Sequence, residues 1–223
     1  FDQARFNMIE QQIRPWEVLD AQVLELLARL PRENFVPAAH KSLAFADMEL
    51  PLTQPAEDGK VMLAPRVEAR MLQDLMLQPG DQVLEVGTGS GHMAALMASL
   101  ARRVVSIEID ETLARAARTH LQGTGITNVD VRVADAAADQ FAACASDAPY
   151  NAIVLSGSVT EIPPALLALL APGGRLVAIV GDEPVMRATV VTRTGEAAFQ
   201  TTQPWDTVAP RLQHFPEPSR FHF

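Results

Sequence analysis

Val83-Leu84-Glu85-Val86-Gly87-Thr88-Gly89-Ser90-Gly91 is the stretch on which the fold turns. Four residues of apolar-rich strand run into three glycines at alternate positions, and the helical pattern from His92 to Leu100 follows at once. Glycine lets a backbone turn sharply and leaves no Cβ to fend off a ligand. The N-terminus of the following helix adds oriented N–H groups. About twenty residues on, the next apolar run ends in Glu108, where an acidic side chain can take the hydroxyls of a ribose. Dinucleotide sites space their glycines G-x-G-x-x-G. Here the third glycine comes one residue early, at Gly91, and His92 fills the usual slot.

Working outward, short apolar runs alternate with helical patterns. Strands are expected near Gln82–Val86, Val104–Glu108, Val129–Val133, Ala152–Leu155 and Arg175–Val180, with helices near Gly91–Leu100, Thr112–Leu121 and Pro164–Leu170. Short apolar strands separated by helices imply an α/β fold, a doubly wound, mostly parallel sheet covered on both faces. Thr189 to Arg193, a turn at Thr194-Gly195, and Ala198 to Thr202 read as a terminal hairpin added to that sheet.

Upstream, residues 2–13 carry Phe6, Ile9 and Ile13 at helical spacing until Pro15. Asp20 is placed to cap a second helix bearing Val23, Leu24, Leu27 and Leu30. Pro31, Pro37, Pro51 and Pro55 then punctuate a stretch with little regular structure, and Pro65 suits the first turn of a helix reaching about Leu77. These patterns divide the chain into an N-terminal helical extension, 1–64, and a core, 65–223.

A net charge of −9 argues against a nucleic-acid or anionic-membrane partner. No apolar run approaches the roughly 18 residues of a membrane helix. One cysteine, Cys144, cannot form an internal disulfide, and the expected compartment is a reducing cytoplasm. His40, His120, His214 and His222 show no metal-ligand spacing with one another or with Cys144, so no metal is expected.

The spacing G-x-G-x-G behind the Glu85 strand resembles motif I of the Rossmann-like class I methyltransferases. That resemblance implies S-adenosyl-L-methionine as cofactor and S-adenosyl-L-homocysteine as product. It assigns cofactor contacts to Glu85, Gly87, Thr88, Gly89, Ser90 and Gly91, and to Glu108 with Ile109. Asp135, just past the third strand, would face the adenine amino group with Ala136 beside it; its other reading is a turn cap. Leu170-Ala171-Pro172-Gly173-Gly174-Arg175-Leu176 resembles a structural methyltransferase signature, a turn between helix and strand.

Several further blocks resemble the protein-L-isoaspartate O-methyltransferase family. They are Leu30-Pro31-Arg32-Glu33-Asn34-Phe35-Val36-Pro37, Ala44-Phe45-Ala46-Asp47, Leu50-Pro51-Leu52, Ala64-Pro65 and Ala148-Pro149-Tyr150-Asn151-Ala152-Ile153. The similarity runs from about residue 1 to 181. It implies a seven-stranded core, a helical N-terminal region, a protein or peptide acceptor, and repair of damaged proteins by carboxyl methylation of isoaspartyl residues.

The departures fall where the chemistry would be. The family carries Ile-Ser-x-Pro-His before the first core helix, its serine in the active site. This chain reads Met62-Leu63-Ala64-Pro65-Arg66, with Leu63 in the serine slot and Arg66 in the histidine slot. Leucine cannot hydrogen-bond a substrate, and its other reading is a core contact. Arg66 is either a bidentate carboxylate partner or a solvated residue of the first helical turn. Met62, Leu63, Arg66 and Ser156 are the substrate-side candidates, with no catalytic residue assigned. Ser156 lies in Ser156-Gly157-Ser158, past the fourth strand. His92 either approaches the cofactor or only opens a helix. The departures leave two alternatives to isoaspartyl repair: a class I methyltransferase for a different acceptor, and a non-catalytic S-adenosylmethionine-binding protein.

Overall fold

A computed structural model describes residues 1–57 and 59–217; His222 and the rest of 218–223 lie outside it. The N-terminal helix α1 (Asp2–Met8) widens into a π-helical turn over Ile9–Ile13 and tightens into a 3-10 turn at Arg14–Trp16. The expected single helix is therefore distorted at its end, because Pro15 has no N–H to continue the ladder. Asp20 caps α2 (Ala21–Arg29), accepting from the amides of Gln22 and Val23 at 2.9 and 3.0 Å. The stretch read as irregular contains a two-stranded ribbon, β1 (Leu50–Pro51) against β2 (Val61–Met62). Strands two residues long offer no alternation from which to infer them.

Next come α3 (Pro65–Leu75), β3 (Gln82–Val86), α4 (His92–Leu100), β4 (Arg103–Glu108), α5 (Glu111–Gly123), β5 (Val129–Val133) and α6 (Ala142–Ala145). The chain continues through β6 (Tyr150–Val159), α7 (Pro164–Leu167), β7 (Leu170–Asp182), β8 (Val185–Arg193) and β9 (Phe199–Thr207). The sheet has seven strands in the order β5-β4-β3-β6-β7-β8-β9. The first five are parallel, and β8 and β9 are an antiparallel addition, as the hairpin reading expected.

Two elements differ from expectation. The helix placed over Pro164–Leu170 ends at Leu167. The Pro172-Gly173-Gly174 turn is an irregularity inside β7, where the register against β6 jumps from Tyr150↔Leu170 to Ala152↔Arg175. A Cβ on Gly174 would stand 2.9 Å from the Ala171 carbonyl oxygen and 3.0 Å from those of Tyr150 and Asn151, so close backbone approach explains that glycine.

The sheet separates two cores. On one side Val83 and Val104 pack with Met8, Ile13, Leu27, Phe35 and Leu96, so the N-terminal segment shares this core. On the other, Leu84, Val86 and Ile107 meet Tyr150, Leu166 and Phe215. Strand order reverses at β3, where β4 lies on one side and β6 on the other. In a doubly wound sheet that reversal opens a crevice at the carboxyl ends of the strands. Among the described residues no helix is long and apolar enough to cross a membrane.

Candidate active site

The crevice sits at the β3 reversal, and its floor is the glycine loop. Gly87 (φ +95°) leaves β3 with the Leu212 side chain 3.0 Å from where a Cβ would be. Gly91 (φ +84°) precedes α4 with Ala117 of α5 3.1 Å from its own missing Cβ. One glycine makes room at the crevice, and the other lets two helices close up behind it.

Gly87 and Gly89 line the crevice with Glu108, Ile109, Asp135, Ala136 and Ser156. Glu108 is almost wholly buried. Its Oε2 accepts from the Gly89 amide at 2.8 Å and its Oε1 from the Asp110 amide at 3.0 Å. Burial pushes its pKa upward, against the pull of those backbone amides. Asp135 combines its two readings. Oδ1 accepts from the Ala138 amide at 3.0 Å, as a turn cap does, while the carboxylate also borders the crevice. Burial alone would raise its pKa, but hydrogen bonds from His214 and Ala138 hold it below the ordinary value.

Glu85, Thr88, Ser90 and Gly91 stand behind this surface and do not line it. Glu85 is fully buried, accepting from Ser106 Oγ at 2.6 Å and Ser156 Oγ at 2.8 Å. Thr88 Oγ1 meets Ser106 Oγ at 2.6 Å, so one hydroxyl–carboxyl chain runs beneath the loop from Thr88 to Ser156. Burial pushes Glu85 up to about 8. The Ser90 hydroxyl accepts from the His92 amide at 3.2 Å.

Met62, Leu63 and Arg66 are not part of the crevice lining. Met62 and Leu63 are core residues. The Arg66 guanidinium donates to Asp47 Oδ2 at 2.6 Å and lies 4.1 Å from the ring centroid of Trp16, so the chain itself occupies it. His92 is buried in a network that individual residues did not reveal. Its Nδ1 lies 2.9 Å from Glu68 Oε2 and 3.2 Å from Arg32 Nη1. Arg32 pairs with Glu68 and donates to the carbonyls of Leu63 at 2.7 Å and Ala44 at 2.9 Å. Burial alone would raise Glu68, but Arg32 and then His92 hold it below the usual carboxylate range. Burial lowers His92. The network thus fixes the backbone at the serine slot.

Sequence reasoning missed two walls. One is the 52–61 loop, where Leu52 packs over Gly89 and Lys60 Nζ donates to Asp110 Oδ2 and Glu57 Oε2, both at 2.7 Å. The other is a strap, 208–215. The Ser158 amide donates to the Pro210 carbonyl at 2.7 Å, and the Leu212 amide donates back to Ser158 at 2.9 Å. Leu212 presses on Gly87 and Gly157, Phe215 is buried against Phe141, and His214 Nδ1 bonds Asp135 Oδ2. The visible signal was only a few scattered apolar residues, Leu212 and Phe215 among them, in a Pro-rich tail. Among the described residues no group of three His, Cys, Asp or Glu side chains is placed to hold a metal ion.

Comparison with known proteins agrees with this architecture. The profile of the family described as "Protein-L-isoaspartate(D-aspartate) O-methyltransferase (PCMT)" matches residues 3–208. The protein-L-isoaspartate O-methyltransferase of Koribacter versatilis is 40% identical over 199 residues, 89% of this chain and 86% of that one. Protein-L-isoaspartate O-methyltransferase 1 of Syntrophobacter fumaroxidans is 40% identical over 202 residues, 91% of this chain and 90% of its own. The crystal structure of a Plasmodium falciparum protein described as a protein-L-isoaspartate O-methyltransferase, in complex with S-adenosyl-L-homocysteine, superposes with a TM-score of 0.71. It is 17% identical and covers 94% of this chain and 97% of that one, a likeness of fold. With a profile match over most of its length and relatives at this identity along nearly all of theirs, the chain belongs to the protein-L-isoaspartate(D-aspartate) O-methyltransferase family.

Proposed function

We propose that this chain uses S-adenosyl-L-methionine to methylate the aberrant carboxylate of isoaspartyl residues in damaged proteins. The observation that carries the reading is the crevice at the β3 reversal, with half-buried loop glycines between two carboxylates, Glu108 and Asp135. The residues suit an adenosyl ligand. Gly87 and Gly89 leave a floor without side chains, Glu108 offers acceptor oxygens for ribose hydroxyls, and Asp135 with Ala136 offers an acceptor edge for adenine. Glu85, Thr88, Ser90 and Gly91 act from behind by fixing the loop. When bound, the cofactor supplies an electrophilic methyl group on a sulfonium.

An acceptor carboxylate, with an ordinary pKa of about 4, is already ionised near neutrality. Its oxygen bonds to the methyl carbon as the carbon–sulfur bond breaks, and no proton moves. This chain's residues then need only align the acceptor and keep water out. Leu52, Val61 and Leu212 give that end apolar walls, the first two from the 1–64 extension. Cys144 is a free, buried thiol, which suits action in a reducing cytoplasm.

Leu63 at the serine slot favours a second reading, methyl transfer to a different acceptor through the same crevice. Labelled-methyl transfer to an isoaspartyl peptide, beside the same peptide with ordinary aspartate, separates the two. Selective incorporation into the isoaspartyl peptide is expected. Tight S-adenosylhomocysteine binding without incorporation would overturn the repair reading and leave the cofactor reading standing.

A further inference from the structure

We infer that His214, on the strap, is a positioning residue that fixes Asp135 as the acceptor selecting a 6-aminopurine. The inference rests on the proposed adenosyl crevice and extends it to a residue outside the strands and loops of the sheet.

Asp135 leaves β5 on a tight turn, and its carboxylate is divided between two neighbours. Oδ1 belongs to the turn, through the Ala138 amide at 3.0 Å. Oδ2 is the oxygen His214 Nδ1 reaches, across 79 residues of sequence. An ionised carboxylate can only accept, so Nδ1 is the nitrogen that carries the proton in this contact. The Asp135 pKa, held below the ordinary value, agrees with an ionised acceptor. A carboxylate oxygen has lone pairs for two donors. His214 therefore orients Oδ2 and still leaves it able to accept from an exocyclic amine.

The histidine is not a loose surface residue that drifted there. Arg211, three positions earlier, donates to the Gly181 carbonyl at 3.0 Å and to Asp182 Oδ1 at 2.6 Å. Leu212 is wedged against Gly157, its Cδ2 2.8 Å from where a Cβ would stand. Phe215, the next residue, is 6% exposed. Anchors on both sides hold residue 214 at the rim with φ +62°, a conformation that asparagine and glycine tolerate far better than most residues. The imidazole itself is largely solvent-exposed, so packing does not explain its place; the hydrogen bond to Asp135 does.

The test is calorimetric, on the full chain, with S-adenosylhomocysteine and its purine analogue lacking the 6-amino group. Wild type should prefer the adenosyl ligand by at least about tenfold, the order expected when an acceptor covered by the bound ligand is left unpaired. His214→Ala should bind the adenosyl ligand about three- to tenfold more weakly, with analogue affinity within about twofold of wild type. His214→Gly, which relieves the left-handed backbone but lacks the donor, should match alanine. His214→Asn, which keeps both the backbone tolerance and an N–H near the Nδ1 position, should restore the preference. If wild type binds neither ligand, the cofactor reading falls. If it binds both equally, Asp135 does not read adenine and this assignment falls with it. If wild type discriminates and alanine discriminates just as strongly, or asparagine fails where histidine succeeds, the role of His214 alone is overturned.

Discussion

The two ends of the crevice are built from different materials. Toward the adenosine end the surface is polar: loop glycines, Glu108 tied to two amides, and Asp135 held by a turn amide and by His214. Toward the end proposed for the acceptor the walls are Leu52, Val61 and Leu212, which close over the same glycines, and the residues in the family's serine and histidine slots lie outside the lining. The first end presents groups that would meet a ligand directly. The second adjoins the Met62-Leu63 backbone, which the buried Arg32 holds through the Leu63 carbonyl with Glu68 and His92 beside it. A hydrogen-bonding end fixes its ligand's identity through donors and acceptors, whereas an apolar end fixes only shape and dryness. On the proposed reading, the chain specifies its cofactor more sharply than its acceptor.

The largest expected effect is on the scaffold behind the acceptor end. Arg32→Met removes the cation shared by Glu68 and the Leu63 carbonyl, leaving a buried carboxylate uncompensated. The cost should be about 3–5 kcal/mol, read as a large fall in denaturant midpoint. Loss under 1 kcal/mol would show that the network carries no structural burden. A smaller effect belongs to the adenosine end. Glu108→Ala should weaken S-adenosylhomocysteine binding about ten- to a hundredfold, as expected for lost hydrogen bonds to a charged acceptor. Unchanged affinity would remove Glu108 from the site.

Glu85 gives the comparison a pH axis. Its folded pKa, about 8, lies above the ordinary carboxylate value of 4.5. Between those values the folded chain holds a proton that the unfolded chain has released. Stability should therefore be greatest below about pH 4.5 as far as this group is concerned, and fall as pH rises toward 8, by up to about 1.4 kcal/mol per pH unit. Glu85→Gln should flatten that fall. Thermal melts of the two proteins at pH 6, 7 and 8 check it, and parallel curves would mean that Glu85 stays ionised.

Much of this was legible from residues, for physical reasons. The central parallel strands announce themselves because strands buried on both faces are mostly apolar, whereas β5 at the sheet edge carries Asp130 and Arg132. The glycine loop and Glu108 stand out because few residue types fit a tight turn beside a nucleoside. The β1–β2 ribbon was not legible, since pairing of two residues with two leaves no period. Nor was the strap: Leu212 and His214 acquire meaning only when 50 or more residues of intervening chain bring them over Gly157 and Asp135. Arg66 misled in the other direction. A guanidinium near an expected active site suggests an anion, but Asp47 and Trp16, 19 and 50 positions away, had already engaged it.

That occupation makes the exchange Leu63→Ser with Arg66→His informative about the acceptor end. A serine at 63 would restore a hydroxyl at the family's slot, and losing Arg66 would free Asp47 and uncover Trp16. If the present residues limit turnover by leaving the acceptor poorly aligned, the double variant should raise kcat on an isoaspartyl peptide by about two- to tenfold, the lower end of what one positioned hydrogen bond supplies. Affinity for S-adenosylhomocysteine should stay within about twofold, because neither residue lines the crevice. The same change in both quantities would mean that the backbone held by Arg32 had shifted, coupling the two ends. A rise in kcat alone would keep them separable, with cofactor selection at one end and acceptor alignment at the other.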